Sequence, residues 1–258
     1  MKKITFFFLT LLAITLTGCL DTIEEISVNA NGTGVYQTTM DMSGMFDMIE
    51  MMAAMDTSAN GQLKKLSEKD IDSVMNLRSF TDTSSTLTAE QKALFHDATM
   101  HMIMKQEDKV FKITMSYPFK NLADVQKVID LNSEGKGVDL LGKNKNDSQN
   151  VPGMESKGGF PSINNYYDVT IKNGLIERKV NEEKLTALKN DEQLKEMKGA
   201  EDMMSSITYN TIIHLPRAAK KAEGEKIKLS ADKKTVTIKS TLMDLFDDPK
   251  SLGFAIEY

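Results

Sequence analysis

The chain has 258 residues, with 32 Lys and Arg against 37 Asp and Glu, and a formal net charge of −5. The two signs are interspersed, which argues against a nucleic-acid partner and against docking on anionic lipid by charge. The chemistry available is set by eighteen methionines, three histidines, a single cysteine and no tryptophan.

Residues 1–19 read as an export signal. Lys2 and Lys3 give a positive start, and residues 4–16 form an almost uninterrupted apolar run. That run has the length of a signal h-region and is too short to span a bilayer comfortably. It ends in Leu16, Thr17, Gly18 and Cys19. This tetrad resembles the lipobox of bacterial lipoproteins: an aliphatic residue, two small residues, then the acylated cysteine. The resemblance implies a signal peptide over residues 1–18 and a diacylglycerol on Cys19. It also implies a chain held in the cell envelope by two or three acyl chains, with the outer membrane of a Gram-negative bacterium as the expected location. Leu20, Asp21 and Thr22 are then expected to form a short tether. Acylation of Cys19 would leave no thiol and no disulfide, so stability has to come from the core. Residues 19–258 number 240 and keep 30 basic and 37 acidic residues, a net of −7.

The body opens with Ile23, Ile26 and Val28, then Asn31-Gly32, then alternating residues from Val35 to Met40, which together predict a hairpin. Ser43 is expected to cap a helix over residues 44–55, because Met45, Met48, Ile49, Met52 and Met55 recur at spacings of three and four. Residues 56–62 read as a loop. Ser67 or Asp70 could cap a second short helix carrying Ile71, Val74, Met75 and Leu77. Residues 79–86 are rich in Ser, Thr and Asp and read as a connector. Thr88 and Gln91 form a capping-box pattern opening a helix through His96. A second hairpin is expected over residues 99–105 and 109–117, with Met100, Met102 and Met104 on one face, His101 and Ile103 on the other, and Pro118 as its end. Asn121 and Asp124 then cap a helix carrying Leu122, Val125, Val128 and Ile129.

Residues 132–162 are rich in Gly, Asn, Ser, Lys and Asp and read as a flexible loop or linker. They divide an N-terminal hairpin/helix lobe, residues 19–131, from a C-terminal lobe, residues 163–258. In the latter, residues 166–172 and 175–180 flank Asn173-Gly174 as a third hairpin. A charged helical stretch covers residues 182–204 with Leu185, Leu188, Leu194 and Met197 on its apolar face. A strand over residues 207–215 stops at Pro216. Residues 227–229 and 235–242 form a fourth hairpin, Asp248-Pro249 starts a helical turn, and residues 253–258 close as a strand. Hairpins alternating with helices predict an α+β fold: antiparallel sheet with helices on one face, in one body or two lobes.

Methionine is the most distinctive candidate for function. Met40, Met42, Met45, Met48, Met51, Met52 and Met55 fall within sixteen residues, and thioether sulfur suits Cu(I). The spacing resembles the methionine motifs of periplasmic copper chaperones and importers, which would make Met40, Met42, Met45 and Met48 ligands. Core packing ranks ahead of that reading, and a Met-lined groove for an apolar ligand or protein partner stands between them. The surface around Met45, Phe46, Met48, Met52 and Met55 is the expected binding patch. His96, His101 and His214 lack metal-site spacing. Nucleophile elbow, P-loop, dinucleotide fingerprint and calcium loop are absent from the sequence, and pairs such as Glu24-Glu25 and Asp247-Asp248 read as solvated turns, with Asp248 as a helix cap. No cofactor and no catalytic residue is expected, although a hydrolase site dispersed over several elements stays open.

Residues 28–34 with Asp41-Met42-Ser43, residues 112–122, and Leu215-Pro216 with residues 229–236 are together similar to segments of uncharacterised Bacteroidota lipoproteins and of LppM-type lipoproteins. The resemblance rests on turns, strand ends and caps. It implies kinship of fold and carries no catalytic residue. The sequence thus points to a membrane-anchored envelope lipoprotein with a binding or scaffolding role.

Overall fold

The computed structural model describes residues 20–46, 70–85, 87–133, 163–190 and 205–258. The predicted α+β class is what these residues form. Alternating hydrophobicity and tight turns generate strands β1 (Leu20–Val28), β2 (Gly34–Asp41), β4 (Thr99–Lys105), β5 (Val110–Phe119), β6 (Tyr167–Lys172) and β7 (Leu175–Val180). Between them lies β3 (Ile71–Asn76), and the later strands are β8 (Ile207–His214), β9 (Lys221–Glu223), β10 (Ile227–Leu229), β11 (Thr235–Thr241) and β12 (Phe254–Glu257). Two of the hairpin turns carry glycine at φ 83°, Gly32 and Gly174, as the Asn-Gly pattern requires.

The strands build an eight-stranded sheet, ordered β10-β11-β8-β1-β2-β5-β4-β3, and a four-stranded sheet, ordered β6-β7-β12-β9. Every pairing is antiparallel except β1 with β8, which run parallel from Leu20 opposite Ile207 to Ser27 opposite His214. The large sheet takes strands from both sides of residues 132–162, so that stretch of chain does not divide it.

Helices α1 (Arg78–Thr83), α2 (Ala89–Phe95), α3 (Leu122–Ser133), α4 (Glu182–Asn190) and α5 (Leu242–Asp247) complete the fold. Their buried residues join the inward face of the large sheet. Phe95, Val125, Val128 and Ile129 share one apolar cluster with Ile26, Tyr36, Met100, Ile113 and Tyr117. Leu185, Leu188, Leu242 and Leu245 share a second with Leu20, Ile207 and Tyr209. The small sheet adds Ile176, Phe254 and Ile256 to the first. The outward face is polar and knitted across strands: Thr39 meets Thr114 at 3.1 Å, and Gln37 donates to Ser116 at 3.1 Å.

The expected capping box at Thr88 and Gln91 forms in both directions. Asn121 and Asp124 make the same reciprocal pair, with Asn121 Nδ2 donating to Asp124 and the Asp124 amide donating to Asn121 Oδ1. Met100, Met102 and Met104 are buried on the inward face, opposite Met115, Ile113 and Phe111 of β5. For these three, thioether side chains fill core.

Several local expectations are corrected. Leu20, Asp21 and Thr22 are no tether: they open β1, and Leu20 is 1% exposed. Residues 71–76 form an edge strand, not a helix, with Val74 65% exposed. Asp70 accepts the Gln106 amide across the neighbouring hairpin rather than capping a helix. The stretch read as a connector holds all but the first residue of α1, and the amide of that residue, Arg78, is taken by Asn76 Oδ1 at 2.8 Å. Ser43 begins a 3-10 turn, Ser43–Met45, and its hydroxyl accepts the Phe111 amide at 3.0 Å; the helix it is expected to cap lies outside the described residues beyond Phe46. Pro118 lies within β5, which runs on to Phe119. Asp248 stands at the cap position of the turn Pro249–Leu252 without a side-chain cap bond. Strand β9 and helix α5 have no counterpart among the elements expected from sequence. The helical reading of residues 46–55 and 191–204 falls outside the described residues, except for Phe46.

Candidate functional site

The two apolar clusters are separated along β1 by an inward-facing polar row. Period-2 alternation turns Leu20, Glu24, Ile26 and Val28 to one side of β1 and Glu25 to the other. Glu24 is flanked in register by Thr211 of β8 and Thr38 of β2. Its Oε1 accepts from Tyr36 Oη at 2.7 Å and from Asn164 Nδ2 at 2.7 Å. Tyr36 is 4% exposed and Asn164 6%. Burial first, and then the Glu24 charge, push the Tyr36 hydroxyl well above the usual 10, so it stays a donor.

Arg178 is the buried cation of this region, at 2% exposure. Strand β7 turns it inward with Ile176. Its Nε donates to the Leu252 carbonyl at 2.9 Å, and its guanidinium lies 4.9 Å from the Phe254 ring centre and 5.5 Å from that of Tyr167. Its Nη2 has no hydrogen-bond partner among the described residues. Burial lowers the proton affinity of the guanidinium, and the Glu24 charge opposes that shift. A guanidinium that stacks on two rings and donates to a carbonyl joins the small sheet to the turn at Leu252.

The pair Glu24-Glu25, read from sequence as a solvated turn, is therefore split between the faces. Glu25 points outward and lies 3.0 Å from His214 Nε2. The other ring nitrogen of His214 is 3.3 Å from Thr235 Oγ1. Hydroxyl, imidazole and carboxylate thus stand in line. The Thr235 amide, a donor that an oxyanion could have used, is taken by Ser230 Oγ at 2.9 Å, and the row lies on the open sheet face. Acyl transfer needs preorganised donors in a site that excludes water, and this row supplies neither. His101 and His96 also face carboxylates, Asp72 and Asp97, each at 2.8 Å. Among the described residues no three His, Cys, Asp or Glu side chains are grouped to hold a metal ion.

A cleft of about 230 Å³ lies between α2 and α3, lined by Glu90, Leu94, Lys120, Lys127, Tyr117 and Val128 among others. Lys127 and Glu90 form an ion pair across it. Of its aromatic lining residues, Tyr117 stacks with Tyr36 at 5.9 Å and packs edge-on against the buried Phe95 behind it at 5.7 Å.

The methionine patch is partly accounted for. Phe46 is 2% exposed and belongs to the core, so it cannot serve as surface. Met40 packs against the first cluster, and Met42 against both. The side chains of Met45, Met48, Met52 and Met55 lie outside the described residues, as does Cys19.

Three carboxylates give the fold a defined acid limb. Partial burial pushes Asp41 up, but hydrogen bonds from Lys112 at 2.8 Å and the Ser43 amide at 3.1 Å outweigh it, leaving Asp41 below the usual 3.8. Asp244 is likewise raised by burial but lowered below 3.8 by Lys226 at 2.6 Å and the Thr241 amide at 2.7 Å. Lys184 and Asn181, each at 3.0 Å, lower Asp168. A carboxyl whose value is lower in the folded than in the unfolded chain stabilises the fold above its unfolded value, and that contribution is lost as pH falls through the folded one. The urea midpoint is therefore expected to fall below about pH 4, and Asp41→Asn to flatten that fall; an acid limb unchanged in the variant would remove Asp41 from this account.

No family model and no curated protein matches the chain. Among solved structures, the NMR structure of the folded domain of the LppM protein of Mycobacterium tuberculosis is similar over 95% of this chain and 94% of that one, at 10% identity and a TM-score of 0.37. That identity and score do not establish a common fold. No helix among the described residues is long and apolar enough to cross a membrane.

Proposed function

We propose that this chain is a cell-envelope lipoprotein, anchored through Cys19, whose folded body has a binding or scaffolding role and no catalytic one. The observation that carries the reading is the order of the first residues: Lys2 and Lys3, the apolar run of residues 4–16, Leu16-Thr17-Gly18-Cys19, and then β1 from Leu20. Signal and body meet at the one cysteine of the chain. The outer membrane of a Gram-negative bacterium is the compartment that fits this reading, and protein or apolar ligands are the partners that fit it. The non-catalytic part is supported by how the polar groups are engaged. Glu24 is taken up by Tyr36 and Asn164, Glu25 by His214, and Asp72 by His101.

Export and acylation are tested together by Cys19→Ser. The wild-type chain is expected in the membrane fraction, resistant to high salt and released by detergent, because buried acyl carbons hold it at roughly 0.8 kcal/mol per methylene. The variant is expected to lose label from a radioactive fatty acid and to keep its signal peptide. Equal fractionation and equal labelling of the two forms would refute the anchor.

A further inference from the structure

Leu20 is both the residue next to Cys19 and a core residue. It is 1% exposed, packed with Ile207, Leu242 and Leu245 in the second cluster, and paired in the sheet interior beside Ile207 of β8. Asp21, the next residue, pairs with Asp41 on one side and Thr208 on the other. An acylated Cys19 thus has no spacer. Successive Cα atoms are about 3.8 Å apart, so the lipidated sulfur lies within about 10 Å of a side chain locked in the core. Most of the freedom that a tether gives a lipoprotein body is missing.

Resting on the anchoring reading above, we infer that the body sits directly on the bilayer in one orientation, with the end of the large sheet at which β1 begins facing the lipid headgroups. The pairing register decides which groups share that end. Asp41 lies opposite Asp21, Lys112 opposite Asp41, and Val110 opposite Lys105, which brings the turn over residues 106–109 there. Thr241 lies opposite Thr208, which brings α5 there as well, with Met243 and Phe246 only partly buried. The turn over residues 29–33 is at the other end of β1, whose nine residues span about 27 Å.

The partner surface is a lipid bilayer held by the anchor, not by charge. At this end Lys112 and Lys226 are paired with Asp41 and Asp244, and Asp21, Glu107 and Asp108 stand there with Lys105 and Lys109, so no excess of positive charge is available to hold anionic lipid. A form lacking the acyl chains is therefore expected to leave vesicles of phosphatidylcholine, with or without phosphatidylglycerol, unbound.

The test uses the full acylated chain. Thioether formation blocks Cys19, so an added cysteine is the one free thiol. Asp108→Cys, in the exposed turn at the bilayer end, and Ala30→Cys, in the exposed turn at the far end, are each labelled with a fluorophore. Both proteins are reconstituted in phosphatidylcholine vesicles carrying a nitroxide headgroup quencher. Quenching at position 108 is expected to exceed that at position 30 by about threefold or more, given the ~27 Å between the two ends. A Gly/Ser insert of roughly ten residues between Cys19 and Leu20, with an r.m.s. reach of about 17 Å, is expected to erase most of that difference while leaving the acyl mass in place. Equal quenching at the two positions in a protein whose acyl mass is present would overturn the orientation and leave the anchor standing. Absence of the acyl mass would remove the anchor, and the orientation with it.

Discussion

Gly34→Ala is expected to destabilise the chain by about 3 kcal/mol, because a methyl group added where neighbouring atoms are already closely packed forces them apart. Gly34 opens β2, opposite Val28 of β1 and Phe119 of β5. A Cβ built there would stand 1.9 Å from the Ser27 carbonyl oxygen and 2.4 Å from Phe119 Cζ. A ring can swing away. A main-chain oxygen inside a ladder cannot, so the β1–β2 register has to open at its turn. For a chain of this size, each kcal/mol lowers Tm by about 2–4 °C, so thermal unfolding should begin roughly 6–12 °C lower. Gly32→Ala is the control: nothing lies within 4 Å of its Cβ, and the only penalty there is the positive φ of 83°. It is expected to cost about 1 kcal/mol. A Gly34→Ala protein as stable as wild type would mean that β2 does not approach β1 and β5 as described.

Arg178→Ala is expected to have an effect of similar size, about 3–5 kcal/mol, from truncating a long buried side chain and removing a buried charge from its surroundings. Three attachments go at once: the bond to the Leu252 carbonyl and the stacking on Phe254 and on Tyr167. The Leu252 carbonyl loses the Nε donor, and Glu24 loses the cation that opposes its charge. Arg178→Met separates volume from charge. It fills much of the same space and removes the buried Nη2 that lacks a partner among the described residues. Arg178→Met is expected to stay within about 1.5 kcal/mol of wild type. Arg178→Lys should be worse than Met, because an ammonium neither stacks flat nor donates in the same geometry. Urea unfolding of the detergent-solubilised chain gives the order. Alanine and methionine variants of equal stability would show that the stacked guanidinium, with its packing, is not what joins the small sheet to Leu252.

The inward turn of Glu24 and Arg178 can be read from the sequence in retrospect. Glu24 has the parity of Ile26 and Val28, and Arg178 has the parity of Ile176, so strand alternation alone turns them inward. Reading Glu24 with Glu25 as one solvated pair overlooks that neighbouring strand residues face opposite ways. The hairpins were legible because their Asn-Gly turns and alternating flanks are local. Strand β3 was not: Ile71, Val74 and Met75 fit a helical spacing, and an edge strand with Val74 exposed has little alternation to show. Helix α5 was hidden because its leucines continue the apolar run of β11, although Thr241 and Asp244 form a complete capping box at its start. The parallel pairing of β1 with β8 joins residues as distant in the chain as Asp21 and Thr208, and no local pattern reports such a contact. The burial of Leu20 depends on that pairing, which is why the stretch after Cys19 reads as a tether in sequence and is core in the fold.

The central claim is that the one cysteine carries the chain on a membrane with its body beginning at the next residue. Intact-mass and N-terminal peptide mass spectrometry of the protein purified from membranes tests it most directly. The expected result is a mature chain that starts at Cys19, with the sulfur bearing a diacylglycerol thioether. A chain that keeps residues 1–18, starts elsewhere, or has a free Cys19 thiol would contradict it.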